Sequence, residues 1–305
     1  MTTSSVAPRT LTRVPRARMI IAGVVGLIVV GLIVSLSGGG TSNPNEQLPL
    51  STWSAPASVL SGTAATSSGQ VFVLANSGSA ANVQAINASS GKVENIFAVS
   101  NAARSLAISA TGTLAVGSAT TNTGAVSFLS RLGVHHGVVA MPGPVLQLIP
   151  EVDGRSFLAL VSAKKTASAV VVNSVTDKVT NVVPLSNLSL SLAVSPDGST
   201  IYDLLSNNVV QMVSTVSAKS FTNFAVPAGG RAIALSADGS TLFELKGAPS
   251  DDNVAVINAS TQTVTSVMPA PANCVAIAPS LTQPQLYDFV GTPRYGNVQL
   301  FAVHS

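Results

Sequence analysis

The sequence predicts an all-β protein built as a six-bladed β-propeller, and three observations lead to this prediction. A unit of about forty residues recurs from residue 82 to the C-terminus. Each unit contains short apolar strands separated by polar turns, most clearly between Asn253 and Phe289. A glycine turn also recurs at the same place in several units. A repeat of this length that reads as one four-stranded sheet is typical of a propeller blade.

The turn glycines set the alignment of the repeats. The turns at 109–112, 195–198 and 236–239 superpose, with a weaker copy at 152–154. Glycine is favoured in such turns because it adopts positive φ without a steric cost. Counting back from these turns, the first strands are predicted to begin near Asn82, Gly124, Ser168, Asn208, Asn253 and Asn297. The intervals of 42, 44, 40, 45 and 44 residues suit a propeller blade.

The sixth repeat is incomplete at the C-terminus, where one strand from Val298 to Val303 remains. Residues 47–53, 58–64 and 70–75 are predicted to supply the second, third and fourth strands of that blade. N- and C-terminal strands would then close the ring, because an open ring leaves a sheet edge unpaired. Five whole blades and one composite blade give six. A seven-bladed ring would need a further blade before residue 80, where there is little room.

The repeat resembles the YVTN family of propellers, whose unit reads V-x-V-I-D, a Thr-rich turn, a Val-rich strand, S-P-D-G and L-Y-V. The matching elements here are Val254-Ala-Val-Ile-Asn258, Ser195-Pro-Asp-Gly198 and Ile201-Tyr-Asp203. The resemblance covers roughly residues 55–303 and implies a propeller fold. It implies no particular activity, because members of the family differ in function. The family commonly has seven blades, whereas six are counted here.

The N-terminal region predicts a single transmembrane helix. Met19 to Leu36 is an uncharged apolar run of 18 residues, about 27 Å long as a helix, which nearly matches a bilayer core. Four arginines precede it, and the next basic residue is Lys92. The positive-inside rule therefore predicts a cytoplasmic tail (1–18), a signal anchor (19–36), a flexible linker (37–50) and an extracytoplasmic propeller (51–305). The alternative is a signal peptide cleaved near Ser37, which would release a secreted protein.

The charge distribution argues against nucleic-acid binding. The whole chain carries a net charge of +3, but four of its 15 basic residues lie in the tail. The remaining eleven face 12 acidic residues, so the exported part has a net charge of about −1. A nucleic-acid-binding protein would instead show a basic patch or stripe.

No cofactor, metal site or catalytic set is predicted. Cys274 is the sole cysteine, and we interpret it as a packed small side chain. His135 and His136 are adjacent, so on a strand they point to opposite faces and cannot easily chelate one metal. Asp203, Glu244 and Asp288 occupy the same position in three successive repeats. That position is predicted to be in the outermost strand, where charges protect the edge from pairing with other chains.

The candidate binding residues lie on the face where the first strands begin, the top face. Arg104 and Arg231 occupy equivalent positions on opposite sides of a six-bladed ring, and Asn273 is aligned with them. If the first strands line the channel, four asparagines open them at its mouth, where their amides could bind a polar ligand: Asn82, Asn208, Asn253 and Asn297. The alternatives are that the asparagines cap the preceding turns and that the arginines are solvated loop residues.

These features predict a membrane-anchored, extracytoplasmic binding or scaffolding module for a protein or a polar ligand. The partners would be the membrane, through Met19 to Leu36, and an unknown ligand at the top face. The alternative is a propeller enzyme of the lyase or lactonase type, acting on a small polar substrate in the top-face cleft. Such an enzyme needs acids, histidines or a metal converging near the axis.

Overall fold

A computed structural model describes residues 49–55, 58–64, 69–76, 79–163, 166–248, 251–280, 285–292 and 296–303. The predicted cytoplasmic tail, the transmembrane helix at 19–36 and nearly all of the linker lie outside the described residues. Within the described part, no helix is long and apolar enough to cross a membrane. The residues from Pro44 to Ser305 form one compact unit.

The described residues of this unit form 24 strands in six antiparallel sheets of four strands each. The first strand, β1 (Ser51–Ala55), precedes five blades that are continuous in sequence. Blade I contains β2 (Val59–Ala64), β3 (Gln70–Asn76), β4 (Ala81–Asn87) and β5 (Val93–Val99). Blade II contains β6 (Ala103–Ile108), β7 (Leu114–Ala119), β8 (Gly124–Leu129) and β9 (His135–Met141). Blade III contains β10 (Val145–Pro150), β11 (Ser156–Ala163), β12 (Thr166–Asn173) and β13 (Lys178–Leu185).

The second half of the ring follows the same pattern. Blade IV contains β14 (Ser189–Val194), β15 (Thr200–Leu205), β16 (Val209–Ser214) and β17 (Ser220–Ala225). Blade V contains β18 (Gly230–Leu235), β19 (Thr241–Ala248), β20 (Asp251–Asn258) and β21 (Thr263–Pro269). Blade VI contains β22 (Cys274–Pro279), β23 (Gln285–Gly291) and β24 (Gly296–Ala302), and β1 is its fourth strand. The prediction of a six-bladed propeller is therefore confirmed.

Closure of the ring is confirmed, but the composition of the closing blade was predicted wrongly. β1 pairs antiparallel with β24, from Ser51 opposite Leu300 to Ala55 opposite Gly296. The terminal regions thus share blade VI, as predicted. However, the N-terminus contributes one strand rather than three, because β2 and β3 open blade I. The repeat period could be read from the turns, but the period alone does not say which strand begins a sheet.

The same shift of two strands changes which strand lines the channel. The strands predicted to be first and innermost, such as those that follow Asn82 and Asn253, are the third strands β4 and β20. The innermost strands are β2, β6, β10, β14, β18 and β22, and each contacts its neighbours around the ring. We call the face where these inner strands begin the upper face and the face where they end the lower face. The loops that join one blade to the next lie at the upper face, with the loops between second and third strands.

An apolar cluster fills each of the six interfaces between neighbouring blades. The largest side chains include Phe128 and Phe157, whose ring centroids lie 5.7 Å apart between blades II and III. In blade VI, Trp53 packs near Tyr287 and so ties the closing strand to the core. All six clusters are formed by described residues of the compact unit. Burying sheet faces of this kind is the main driving force for folding.

Candidate functional site

The upper mouth of the channel is built by a β-bulge in every inner strand. In each pairing of the first and second strands the register skips one residue, as at Arg104 between Ala103 and Ser105. A bulge leaves the extra residue unpaired and re-aims its side chain, and bulges are common next to functional sites. The six skipped residues form what we call the bulge ring: Leu60, Arg104, Leu146, Leu190, Arg231 and Val275. All six line a central channel of about 480 Å³.

The bulge ring combines apolar and cationic side chains. Leu146, Leu190 and Val275 are exposed to solvent, as is Arg104. Arg104 belongs to blade II and Arg231 to blade V, so the arginines lie on opposite sides of the six-bladed ring, as predicted. Exposed aliphatic groups beside a cation suit a partner that is partly apolar and partly anionic.

The two arginines are not equivalent in their contacts. An Nη atom of Arg231 lies 2.5 Å from an Oδ atom of Asp252, whose side chain is fully buried. The other Asp252 Oδ atom accepts a hydrogen bond from the backbone N–H of Cys274 at 3.0 Å. The Arg231 guanidinium therefore neutralises a buried carboxylate between blades V and VI. The main role of Arg231 is therefore to stabilise the interface between these two blades, and lining the channel mouth is its secondary role.

Arg104 has no such partner. Its Nη1 atom donates to the backbone carbonyls of Ala103 (2.7 Å) and Asn101 (3.1 Å). In the described part of the chain, no carboxylate lies within ion-pair distance of Arg104. These carbonyl bonds hold the exposed guanidinium at the rim, with its positive charge unneutralised. Arg104 is therefore the side chain in the bulge ring best placed to hold an anionic group.

The other predicted binding residues lie near the upper face but away from the channel mouth. Asn273 is not the bulge residue of its blade, which is Val275; it takes a positive φ of 65° in the turn before β22. Asn82, Asn253 and Asn297 lie in third strands, opposite Ala75, Lys246 and Val290, so the predicted asparagine ring at the mouth is wrong. Asn208 lies in a turn at φ 64°, and its Oδ1 accepts a hydrogen bond from the N–H of Gly229 at 3.1 Å.

The bulge positions carry a sequence signal that was used only in part. Four bulge residues stand eight positions before a turn glycine: residue 104 before 112, 146 before 154, 190 before 198 and 231 before 239. The repeat alignment accordingly grouped these four. It missed Leu60, because the turn glycine of blade I stands nine positions later at Gly69, and Val275, because the turn of blade VI contains no glycine.

Asp203, Glu244 and Asp288 are buried, not at the blade edges as predicted. They lie in the second strands β15, β19 and β23, and none is more than 1% exposed. Burial raises the pKa of Asp203 to about 7, although the Ser189 hydroxyl opposes this by donating to its Oδ2 atom at 2.8 Å. Burial also raises the pKa of Glu244 to about 7, against the opposing effect of Lys246. The pKa of Asp288 is raised well above its usual range, first by burial and then by Asp252.

Side chains also cross between inner strands below the bulge ring. Gln147 of blade III binds both backbone groups of Leu192 in blade IV, accepting from its N–H at 2.7 Å and donating to its carbonyl at 2.9 Å. The Ser191 hydroxyl accepts from the N–H of Ile233 in blade V at 3.1 Å. These bonds satisfy backbone groups on strand edges that face the channel, and they fix the blades that position the mouth.

Metal chemistry has little support in the described residues. They contain no group of three or more His, Cys, Asp or Glu side chains that could hold a metal ion. His135 and His136 lie at the start of the outer strand β9, away from the axis, and His136 stacks on Phe128 at 6.4 Å. Cys274 is free and fully buried, and burial raises its pKa well above the usual range, so it is not poised as a thiolate.

Comparison with solved structures supports the propeller fold. The chain is similar to hydrazine synthase from Kuenenia stuttgartiensis, with a TM-score of 0.58 and 13% identity over 87% of this chain and 90% of that chain. It is also similar to the Cps50 (Swd1) β-propeller domain from Myceliophteria thermophila, with a TM-score of 0.60 and 9% identity over 85% of this chain and 100% of that chain. No protein-family model and no curated protein sequence matches the chain. Identities this low indicate a shared fold and not a shared activity.

Proposed function

We propose that the protein is a membrane-anchored, extracytoplasmic binding module with a propeller of the YVTN type, and that its bulge ring holds a protein or a polar ligand. The observation that carries the proposal is the bulge ring itself. Six irregular positions, one in each blade, turn two arginines and four aliphatic side chains towards one mouth. A propeller without a binding role has no need for exposed leucine and valine at this place.

The contacts of the arginines assign them different parts in binding. Arg104, whose charge is not neutralised, provides the charge-assisted hydrogen bond to an anionic group of the ligand. Arg231 is held by Asp252 and supplies the opposite wall. Leu146 and Leu190 provide apolar contact area between them along one side of the ring.

Anchoring is supported by the sequence. Met19 to Leu36 is long enough to cross a bilayer, and the four tail arginines favour a cytoplasmic N-terminus. The chain enters the ring at Leu50, on the lower face, because β1 begins opposite the C-terminal end of β24. This entry point lies on the face opposite the bulge ring.

The binding proposal is tested by reversing the charge of Arg104 in the full-length protein. Crosslinked partners captured with the wild type are compared with those captured by Arg104→Glu, and Arg155→Glu serves as the matched control. Arg155 is also exposed but lies at the lower face, between β10 and β11. We expect Arg104→Glu to lose the partner and Arg155→Glu to retain it. Equal capture by both variants would remove the bulge ring from consideration.

Anchoring is tested separately by N-terminal sequencing of the protein extracted from membranes. A chain that retains residues 19–36 is expected, because the apolar run exceeds the usual length of a signal-peptide core. A mature chain that begins near Gly38 would contradict the anchor without affecting the binding proposal.

A further inference from the structure

The lower face carries exposed aliphatic side chains at one repeated position. In the turn between the third and fourth strands, an Asn or Ser side chain accepts hydrogen bonds from backbone N–H groups two to four residues later. The residue two places after this cap is the tip of the turn. In blades I and V the tip is a serine, Ser89 or Ser260. In blades II, III and IV it is Leu132, Val175 or Val216.

These three tips are among the most exposed aliphatic residues of the described chain, with Leu132 at 75%, Val175 at 69% and Val216 at 91%. Val134 and Val152, at 64% and 71%, extend the patch within blades II and III. The hydrogen bonds of the turns need no aliphatic residue there, since serine serves in blades I and V. Isolated exposed aliphatic residues are ordinary, but five on neighbouring blades of one face indicate an interaction surface.

Hydrogen bonds link neighbouring blades on this face. The Asn181 amide of blade III donates to the carbonyl of Thr215 in the blade IV turn at 3.1 Å. The Thr111 hydroxyl of blade II donates to the carbonyl of Gly154 in blade III at 2.7 Å. We call the surface formed by Leu132, Val134, Val152, Val175 and Val216 the lower apolar patch.

We propose that the lower apolar patch inserts into the surface of a lipid bilayer. The chain enters the ring on this same face, at Leu50, which is itself exposed. The predicted membrane helix ends at Leu36, and thirteen residues separate it from Leu50. A flexible linker of that length has a mean span of about 20 Å. The proposal rests on the proposed anchoring, because the described chain begins on this face.

A bilayer fits the shape and charge of the patch better than a protein surface does. The side chains stand on separate convex turns with polar residues between them, and a fluid bilayer accommodates such points without a preformed complementary surface. The lower turns of blades II to IV carry four basic residues (Arg131, Arg155, Lys178 and Lys219) and four acidic residues (Glu151, Asp153, Asp177 and Asp197). Because these charges balance, apolar insertion must drive the contact, and anionic lipids are not required.

The test uses the compact unit from residue 44 onwards, without the membrane helix, and vesicles of phosphatidylcholine. Leu132→Ser/Val175→Ser/Val216→Ser gives blades II to IV the turn residue of blades I and V, so folding is expected to be preserved. The matched control Ile96→Thr/Val182→Thr/Val267→Thr replaces three exposed aliphatic residues of outer strands. Co-sedimentation is expected for the wild type and the control, with at least a tenfold weaker partition, about 1.4 kcal/mol, for the turn variant.

Several outcomes would overturn the proposal. They are no partition of the wild type, equal partition of the turn variant, an equal loss in the control, or binding that requires phosphatidylglycerol and disappears in salt. A dimer of the wild type in sedimentation velocity that the turn variant cannot form would assign the patch to a second copy of this chain. Val216→Ser alone, with its fold checked by circular dichroism, keeps the test valid if the triple variant misfolds. Because this unit lacks the anchor and keeps its bulge ring, failure here leaves the outcomes of the N-terminal sequencing and of the Arg104→Glu capture unchanged.

Discussion

The two halves of the ring differ in the type of side chain at one buried position of each blade. At one position of the second strand, blades I to III carry Val73, Val116 and Ala159, whereas blades IV to VI carry Asp203, Glu244 and Asp288. The inner-strand residue beside it changes too: Val59, Ala103 and Val145 in the first half, Ser189, Gly230 and Cys274 in the second. A carboxyl group is thus accompanied by a small or polar neighbour, and the backbone is the same in both halves.

The three acidic side chains therefore stand in the core where the other blades have apolar side chains, and they are not part of the protein surface. The Glu244 carboxyl occupies the space beside Gly230 that a Cβ at that position would enter. Of the six carboxyl oxygens, Asp203 Oδ1, both Glu244 oxygens and Asp288 Oδ1 are buried without a hydrogen-bond partner among the described residues. Burying a charged carboxylate in this way is costly, so the raised pKa values follow directly.

The largest effect is expected from moving the acidic chemistry into the apolar half. Val73→Asp would place a carboxyl in the apolar cluster that contains Val59, without the hydroxyl that Ser189 provides for Asp203. The free energy of unfolding should fall by about 3–5 kcal/mol at pH 8. Urea denaturation measures it, and Val73→Thr, which has the same shape without the charge, is the control. Similar losses in both variants would mean that burying any polar group at this position, and not the charge, causes the loss.

An effect of similar size is a pH dependence that originates in the second half of the ring. Because the folded-state pKa values of Asp203 and Glu244 are raised to about 7, the folded protein binds more protons than the unfolded chain between about pH 4 and 7. The stabilising contribution of these two groups is therefore fully present below pH 4 and is lost as the pH rises through 7. The free energy of unfolding should be lower at pH 8 than at pH 5 by about 5 kcal/mol, with about 2.5 kcal/mol from each group.

The matched variant for this prediction is Ser189→Val/Asp203→Val, which reproduces the Val59–Val73 pair of blade I. Its stability should depend less on pH than that of the wild type. An unchanged slope of stability against pH would show that Asp203 is charged in both states.

The two arginines of the bulge ring, one in each half, are expected to differ in their contribution to stability. Arg231→Ala leaves the buried carboxylate of Asp252 without its counter-ion, and since Arg231 is itself partly exposed, the expected cost is about 2 kcal/mol. Arg104→Ala should change stability by less than about 0.5 kcal/mol. Thermal unfolding of the two variants side by side tests this difference. Equal stabilities would mean that the Asp252 pair contributes nothing.

The smallest expected effect concerns two serines at equivalent positions of the inner strands. Ser191 accepts a hydrogen bond from Ile233 and donates to Gln147, so Ser191→Ala should cost about 1 kcal/mol. The Ser105 hydroxyl is buried without a hydrogen-bond partner among the described residues, so Ser105→Ala should be neutral or slightly stabilising. Chemical denaturation distinguishes the two outcomes, and a cost for Ser105→Ala would point to an ordered water at that hydroxyl.

The sequence was sufficient for the architecture because the repeat is local. Turn glycines such as Gly198 and Gly239 set the period, and the incomplete C-terminal repeat implied closure by the N-terminus. The phase was lost because first and third strands run in the same direction and have similar alternation. Hence Asn82 was placed at the correct face but in the first strand of a blade, whereas it lies in the third. In the same way, Asp203 was placed in the outermost strand, whereas it lies in the second. Pairing between β1 and β24 depends on contacts distant in sequence, which local patterns do not contain.

Part of the candidate site was also readable from the sequence. The equivalence of Arg104 and Arg231 came from their spacing to the turn glycines. Their different roles did not, because the Asp252 partner of Arg231 lies in another strand of the blade and meets it only after folding. The tip residues Leu132, Val175 and Val216 were missed, since a single aliphatic residue in a polar turn stands out only when five turns are aligned.

The pairing of β1 with β24 also means that the ring cannot close until the end of the sixth blade has been synthesised. The first strand of the ring is made about 250 residues before its partner, which at ordinary synthesis rates is a delay of roughly 10 to 50 s. During that interval blades I to V can assemble in order, while β1 and its Trp53 wait without a sheet to join. The nascent chain is therefore exposed to misassembly and proteolysis until β24 has been made, and a chaperone that shields residues 51–55 would act in that interval.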